Sequence, residues 1–173
     1  MSTIDIGAIE SGFIVNSYLD TVDVDPNDGV SADENGQSSL RSAIMESNAR
    51  PGGDTIMLPP GNFLLTLAGI DEDGALSGDL DITGDLDILG AGTGQTVIDA
   101  DYLDRVFHVF DGVSLKLMGV TVIGGDAGVS HFGGGVLNSG DLSLVDMELT
   151  GSTAARGGGV FNAGSLTIVG SDI

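Results

Sequence analysis

Cysteine and tryptophan are absent from the 173 residues, and lysine plus arginine number only 5. Without cysteine the chain has no disulfide, no thiolate nucleophile and no cysteine-based zinc site. Against the 5 cations stand 26 Asp and Glu, a formal charge of −21. A surface this acidic repels nucleic acid and anionic lipid, so neither is expected as a partner. The acidity serves solubility, in a salty medium included, or supplies the hard oxygen ligands that Ca²⁺ prefers. The two readings are compatible. No apolar run approaches the ~20 residues of a spanning helix, so no membrane insertion is expected. Residues 1–10 lack the basic and apolar regions of a signal peptide. Proline is scarce, at 4 residues against 29 glycines, which is not a collagen or linker composition. A hydrophobic content of 41% argues against an acidic disordered chain. The length fits one domain with a real core.

What is present is a repeat. Gly133-Gly134-Gly135-Val136-Leu137-Asn138 returns as Gly157-Gly158-Gly159-Val160-Phe161-Asn162, 24 residues on. Leu142 then falls on Leu166, Leu144 on Ile168 and Leu149 on Ile173. An earlier copy matches at an offset of 27, with Val109 on Val136, Leu115 on Leu142 and Leu117 on Leu144. The three extra residues fall between Gly124 and Gly135. Short alternating runs at this period predict coils of a β-solenoid, and an insertion confined to one corner is what stacked coils tolerate. Three short strands per coil predict a triangular cross-section. Like then stacks on like at about 4.8 Å.

Towards the N-terminus, Phe13-Ile14-Val15-Asn16 reads as a first strand. Residues 20–36 hold Asp-Pro, Asn-Asp-Gly and Asn-Gly, a loop. Residues 39–48 predict one short helix, with Ser38 or Ser39 as N-cap and Leu40, Ala43 and Ile44 on one face. Pro51-Gly52-Gly53 ends it. A helix this short must dock its apolar face, and the open end of a solenoid needs a cover. Residues 1–53 are therefore read as an N-terminal cap and residues 54–173 as coils. The repeat runs to Ile173 without a polar terminal coil, so an open or continued end is expected there.

Residues 13–67 resemble the N-terminal segment of bacterial secreted β-helix proteins with the domain named for its Cys-Ser-Leu-Arg-Glu-Ala motif. The motif stands here as Ser38-Ser39-Leu40-Arg41-Ser42-Ala43-Ile44. Asp28-Gly29-Val30-Ser31, Ala49-Arg50-Pro51-Gly52-Gly53-Asp54 and Leu58-Pro59-Pro60-Gly61 surround it. The coils, with their Gly-Gly-Gly-Val-x-Asn, are similar to the pectin-lyase-like parallel β-helix. The resemblance implies right-handed coils and an extracellular or cell-surface location. It implies no demonstrated activity. Ser31 and Ser38 stand where that family usually has cysteines, and Ser42 replaces the motif's Glu.

Several residues are candidates for chemistry. Asp23, Asp25, Asn27, Asp28 and Glu34 partly match a calcium loop, although Asp28 occupies the position that needs Gly. Asp71 and Asp73 form a second, weaker Ca²⁺ candidate beside Glu72. Arg105 and Arg156 are expected on one face with Phe132 aligned between them. There they either bind a uronate-rich extracellular polysaccharide or pair with surface Asp. His108, in Val106-Phe107-His108-Val109, is either an acid or base or a packed imidazole. Asn138 and Asn162 are read as a structural ladder at a corner, similar to that of pectate lyases, with Asp111-Gly112 in the equivalent place one coil earlier. β-Helix lyases typically combine calcium carboxylates with an Arg or Lys base, and no such set stands out beside Lys116. The leading expectation is a non-catalytic structural or adhesive module that self-associates end to end through its open coil. The alternative is the first part of a calcium-dependent polysaccharide lyase or glycoside hydrolase.

Overall fold

A computed structural model describes residues 12–70 and 72–173. Residues 1–11 and the candidate ligand Asp71 lie outside the described residues. The described chain is a right-handed parallel β-helix whose strands fall into three sheets. One sheet has six strands: β1 (Gly12–Ile14), β2 (Asp54–Met57), β5 (Leu86–Leu89), β8 (Ser114–Met118), β11 (Asp141–Val145) and β14 (Ser165–Val169). A second holds β3 (Gly61–Leu64), β6 (Thr96–Asp99), β9 (Thr121–Ile123) and β12 (Glu148–Thr150). The third holds β4 (Leu80–Ile82), β7 (Phe107–Val109), β10 (Val136–Asn138) and β13 (Val160–Asn162).

Alternation makes these strands what they are. In Ser114–Met118 and Asp141–Val145 the leucines are buried and the residues beside them are not. Period-two burial on a parallel ladder stacks the inward residues coil over coil. Phe13, Ile56, Ile88, Leu117, Leu144 and Ile168 form one such column. Phe63, Ile98, Val122 and Leu149 form another. Each fully buried aliphatic side chain in these columns contributes about 1.5–3 kcal/mol. The triple glycines turn the corner before β10 and β13. Gly133 and Gly157 have φ of 69° and 64°, and a Cβ on either would lie 2.4 Å from a backbone carbonyl oxygen. Only glycine fits there.

One expected alignment is corrected. Val136 pairs with Phe107, not Val109, so Asn138 lies opposite Val109 and Asp111 is not its equivalent. The turn from β7 to β8 is two residues longer than Ser139-Gly140, and Gly112 makes it with φ 76°. The offset of 27 holds on the other two sheets, between β8 and β11 and between β9 and β12. The asparagines do form a ladder. Asn138 Nδ2 donates to Asn162 Oδ1 at 2.5 Å and to the Ser165 carbonyl at 2.7 Å. Asn162 Nδ2 donates to the Gly164 carbonyl at 3.0 Å.

The helix α1 (Leu40–Ala49) covers the N-terminal end. Ser39 caps it, accepting from the Ser42 amide, and the Ser42 hydroxyl accepts from the Ser39 amide. Ser42 thus performs the return half of a capping box usually made by Glu or Gln. Arg50 is extended ahead of Pro51, which stops the helix. Leu40 and Ile44 pack into the core. The burial extends beyond the expected stripe, because Arg41, Ser42, Glu46 and Ser47 are buried as well. Residues 15–39 wrap the outer side, and the Asn27 and Gly29 amides donate to the Glu46 carboxylate at 2.5 and 2.6 Å. Cap and coils share one sheet, since β1 pairs with β2.

Candidate functional site

The flank formed by β4 and β7 gathers most of the chain's unusual side chains. Leu80 and Ile82 face the core, so Asp81 between them points outward. The register places His108 directly beside it on the next coil. Phe110 packs against the imidazole at a tilt of 32°, with centroids 4.1 Å apart. The link between β3 and β4 folds back over Asp81 and buries it completely, the Ala75 amide donating to Asp81 Oδ2 at 3.0 Å. Among the described residues Asp81 Oδ1 has no hydrogen-bond partner, and His108 Nδ1 lies 3.4 Å from it. Asp73, exposed on the same link, completes a group. Its carboxylate, that of Asp81 and the His108 imidazole offer ligand atoms within 4.8 Å of one another.

A buried ion pair clamps this link. Arg41 is fully buried, with Nε 2.6 Å from Asp20 Oδ1. Its Nη1 donates to the Ala75 and Asp79 carbonyls, and its Nη2 donates to the Gly78 carbonyl at 2.8 Å. The other end is held by Asp20 Oδ2, which accepts from the Thr66 and Leu67 amides at 2.7 and 2.9 Å. Helix, wrap and first coil therefore meet at one charge pair. Asn48 adds a second tie, donating to the Asp81 carbonyl and accepting from the Thr83 amide.

Beside this lies a second acidic group. Arg105 Nε is 2.6 Å from Asp79 Oδ2, although the N–H is not aimed along that line. Burial, and then the charge of Asp81, push the Asp79 carboxyl up to about 8 despite Arg105. Burial also raises Asp104, opposed by the hydrogen bond from the Arg105 amide. Asp104, Arg105, Tyr102 and His131 line a cavity of about 290 Å³.

The expected site residues are thus separated. Arg105 is not an open glycan contact, because its guanidinium is nearly buried against Asp79 and donates to the Phe132 carbonyl. Arg156 is exposed, pairs with Phe132 and lies 5.6 Å from its ring. The revised register places Arg105 two positions away from that Phe132–Arg156 alignment. The calcium-loop candidates turn onto backbone instead. Asp23 accepts from the Asp25 and Ala32 amides, and burial raises its pKa. Asp28 accepts from the Val30 amide, and the Asn27 amide is held by Glu46. Asp25 is exposed, and Glu34 lines a shallow cavity with Asp20 and Asp33. Among the described residues, the convergent carboxylate–imidazole group is Asp73, Asp81 and His108, not that loop. Ser31 and Ser38 meet, with hydroxyl oxygens 2.7 Å apart, and Ser42 lies 2.9 Å from Ser31.

Sequence reasoning missed Asp81, Asp79 and the Asp20–Arg41 pair. For Asp81 a signal existed: His108 follows it by 27, the offset already found in later coils. No family model, no curated protein and no solved structure matches the chain.

Proposed function

We propose that the chain is a non-catalytic structural or adhesive module of an extracellular or cell-surface protein. One observation carries the reading: the buried charges are spent on backbone. Arg41, Asp20, Glu46 and Asp23 all close cap or link amides and carbonyls. Burying charge is costly, and the geometry here returns that cost as rigidity between cap and coils. A lyase base must be free to take a proton. Arg105 is instead bound to Asp79, and Lys116 sits 3.6 Å from Asp87. The resemblance of residues 13–67 to caps of secreted β-helix proteins supports the location.

The last coil of this chain leaves a surface that a second copy or a following coil would cover. β13 and β14 are edge strands, and Ile168, Val169 and Ile173 are about half exposed. Edges of this kind pair with other chains. The test is incubation with pectate, alginate and neutral glycans in Ca²⁺, with products read as unsaturated uronate and as reducing ends. Neither should form. Turnover that disappears in His108→Ala would replace this reading with the polysaccharide-lyase or hydrolase alternative.

A further inference from the structure

We infer that Asp73, Asp81 and His108 form a binding site for a divalent first-row transition metal, with Zn²⁺ as the simplest occupant. The inference does not depend on the structural role proposed above. Asp81 is fully buried, yet among the described residues its Oδ1 has no hydrogen-bond partner. A buried carboxylate oxygen in that state needs a cation or a proton donor. The nearby guanidinium groups are committed elsewhere, Arg105 to Asp79 and Arg41 to Asp20. The group that does face Oδ1 is His108 Nδ1, at 3.4 Å. That is long for a hydrogen bond, but it is the ligand–ligand edge of a tetrahedral site. Bonds of about 2.0–2.1 Å to Zn²⁺ put adjacent ligand atoms about 3.4 Å apart.

The remaining geometry fits the same occupant. The Ala75 amide on Asp81 Oδ2 fixes the carboxylate and leaves Oδ1 free to ligate. Phe110 against the imidazole restrains the ring. Orienting contacts of this kind are what hold metal ligands in place. Asp73 is exposed and the His108 side chain is 19% exposed, so a metal enters from solvent and keeps a water-filled position on that side. The ligand atoms of the three residues spread over at most 4.8 Å, and a rotation of exposed Asp73 closes that spread. The imidazole decides the metal class. Nitrogen ligands suit Zn²⁺, Ni²⁺ or Cu²⁺, whereas Ca²⁺ and Mg²⁺ take oxygen.

The test is calorimetric titration of the untagged full chain with Zn²⁺, beside Co²⁺ absorption. Asp73→Ala and His108→Gln are made at accessible positions, and circular dichroism checks that both fold. The parent should bind one Zn²⁺ saturably and show a visible Co²⁺ band, and excess Ca²⁺ should not displace the metal. Removing a group that merely orients a ligand weakens metal binding roughly 10–100-fold. Loss of a ligand itself should therefore weaken Zn²⁺ by at least about 100-fold in each variant and abolish the Co²⁺ band in His108→Gln. Absence of saturable binding overturns the site. So does affinity retained in either variant, which would mean diffuse association with the acidic surface or binding at His131.

Discussion

Replacing Arg41 with Met should loosen the cap and the first coil together. Met keeps the apolar stem and removes every donor. The change strips the 2.6 Å ion pair with Asp20 and leaves the Ala75, Gly78 and Asp79 carbonyls without their guanidinium partner. Removing one partner of a buried pair costs about 3–5 kcal/mol. Asp20 keeps the Thr66 and Leu67 amides, which softens the loss, so the expected value is near the lower bound, about 3 kcal/mol. Natural domains have only about 5–15 kcal/mol to lose. Urea unfolding followed by far-ultraviolet circular dichroism reads the effect. With a slope of about 2 kcal/mol/M, the midpoint should fall by roughly 1.5 M. The double variant Asp20→Asn/Arg41→Met removes the stranded charge and should recover part of the loss. An Arg41→Met stability within about 0.5 kcal/mol of the parent would refute the clamp. So would a double variant no more stable than the single.

Further outcomes follow from other contacts. Asn138→Ala should cost about 2 kcal/mol and Asn162→Ala about 1 kcal/mol by thermal unfolding, because Asn138 is fully buried and holds both Asn162 and the Ser165 carbonyl. Equal, negligible losses would remove the ladder. Ser31→Cys/Ser38→Cys should oxidise to a disulfide, since the hydroxyl oxygens already lie 2.7 Å apart. Closing that short loop should add about 2.5 kcal/mol, read as the difference in unfolding with and without reductant. The 173-residue polypeptide should gain mass with concentration by light scattering, and Ile168→Lys should abolish the gain. A concentration-independent monomer would contradict association through β13 and β14.

How far the sequence could be read differed by element. The coil columns were legible because Leu115, Leu142 and Leu166 recur at nearly constant spacing and stack in register. The helix was legible from Ser39, Leu40, Ile44 and Pro51, which mark its start, face and stop. The Asn138 register was misplaced because a corner can absorb two residues, and an offset taken from β8 and β11 carries no information about the turn between β7 and β8. Alternation with Leu80 and Ile82 places Asp81 outside the coil, so nothing local marks it as buried. Its burial comes from a link that folds back over it, held by Arg41 from 40 residues earlier. Arg41 itself sat inside a motif without any local sign that it would be buried. Polar burial of this kind depends on what covers a residue, and covering is a tertiary property.

The central claim is that cap, link and coils are one structural unit closed by the Asp20–Arg41 pair. Native-state hydrogen exchange across the chain tests it most directly. Amides of α1, the Thr66 and Leu67 amides and those of β4 should exchange with one common opening free energy, close to that of β5 and β8. Exchange of α1 or the link at a free energy several kcal/mol below the coils would contradict the claim, because the cap would then open while the solenoid stayed closed.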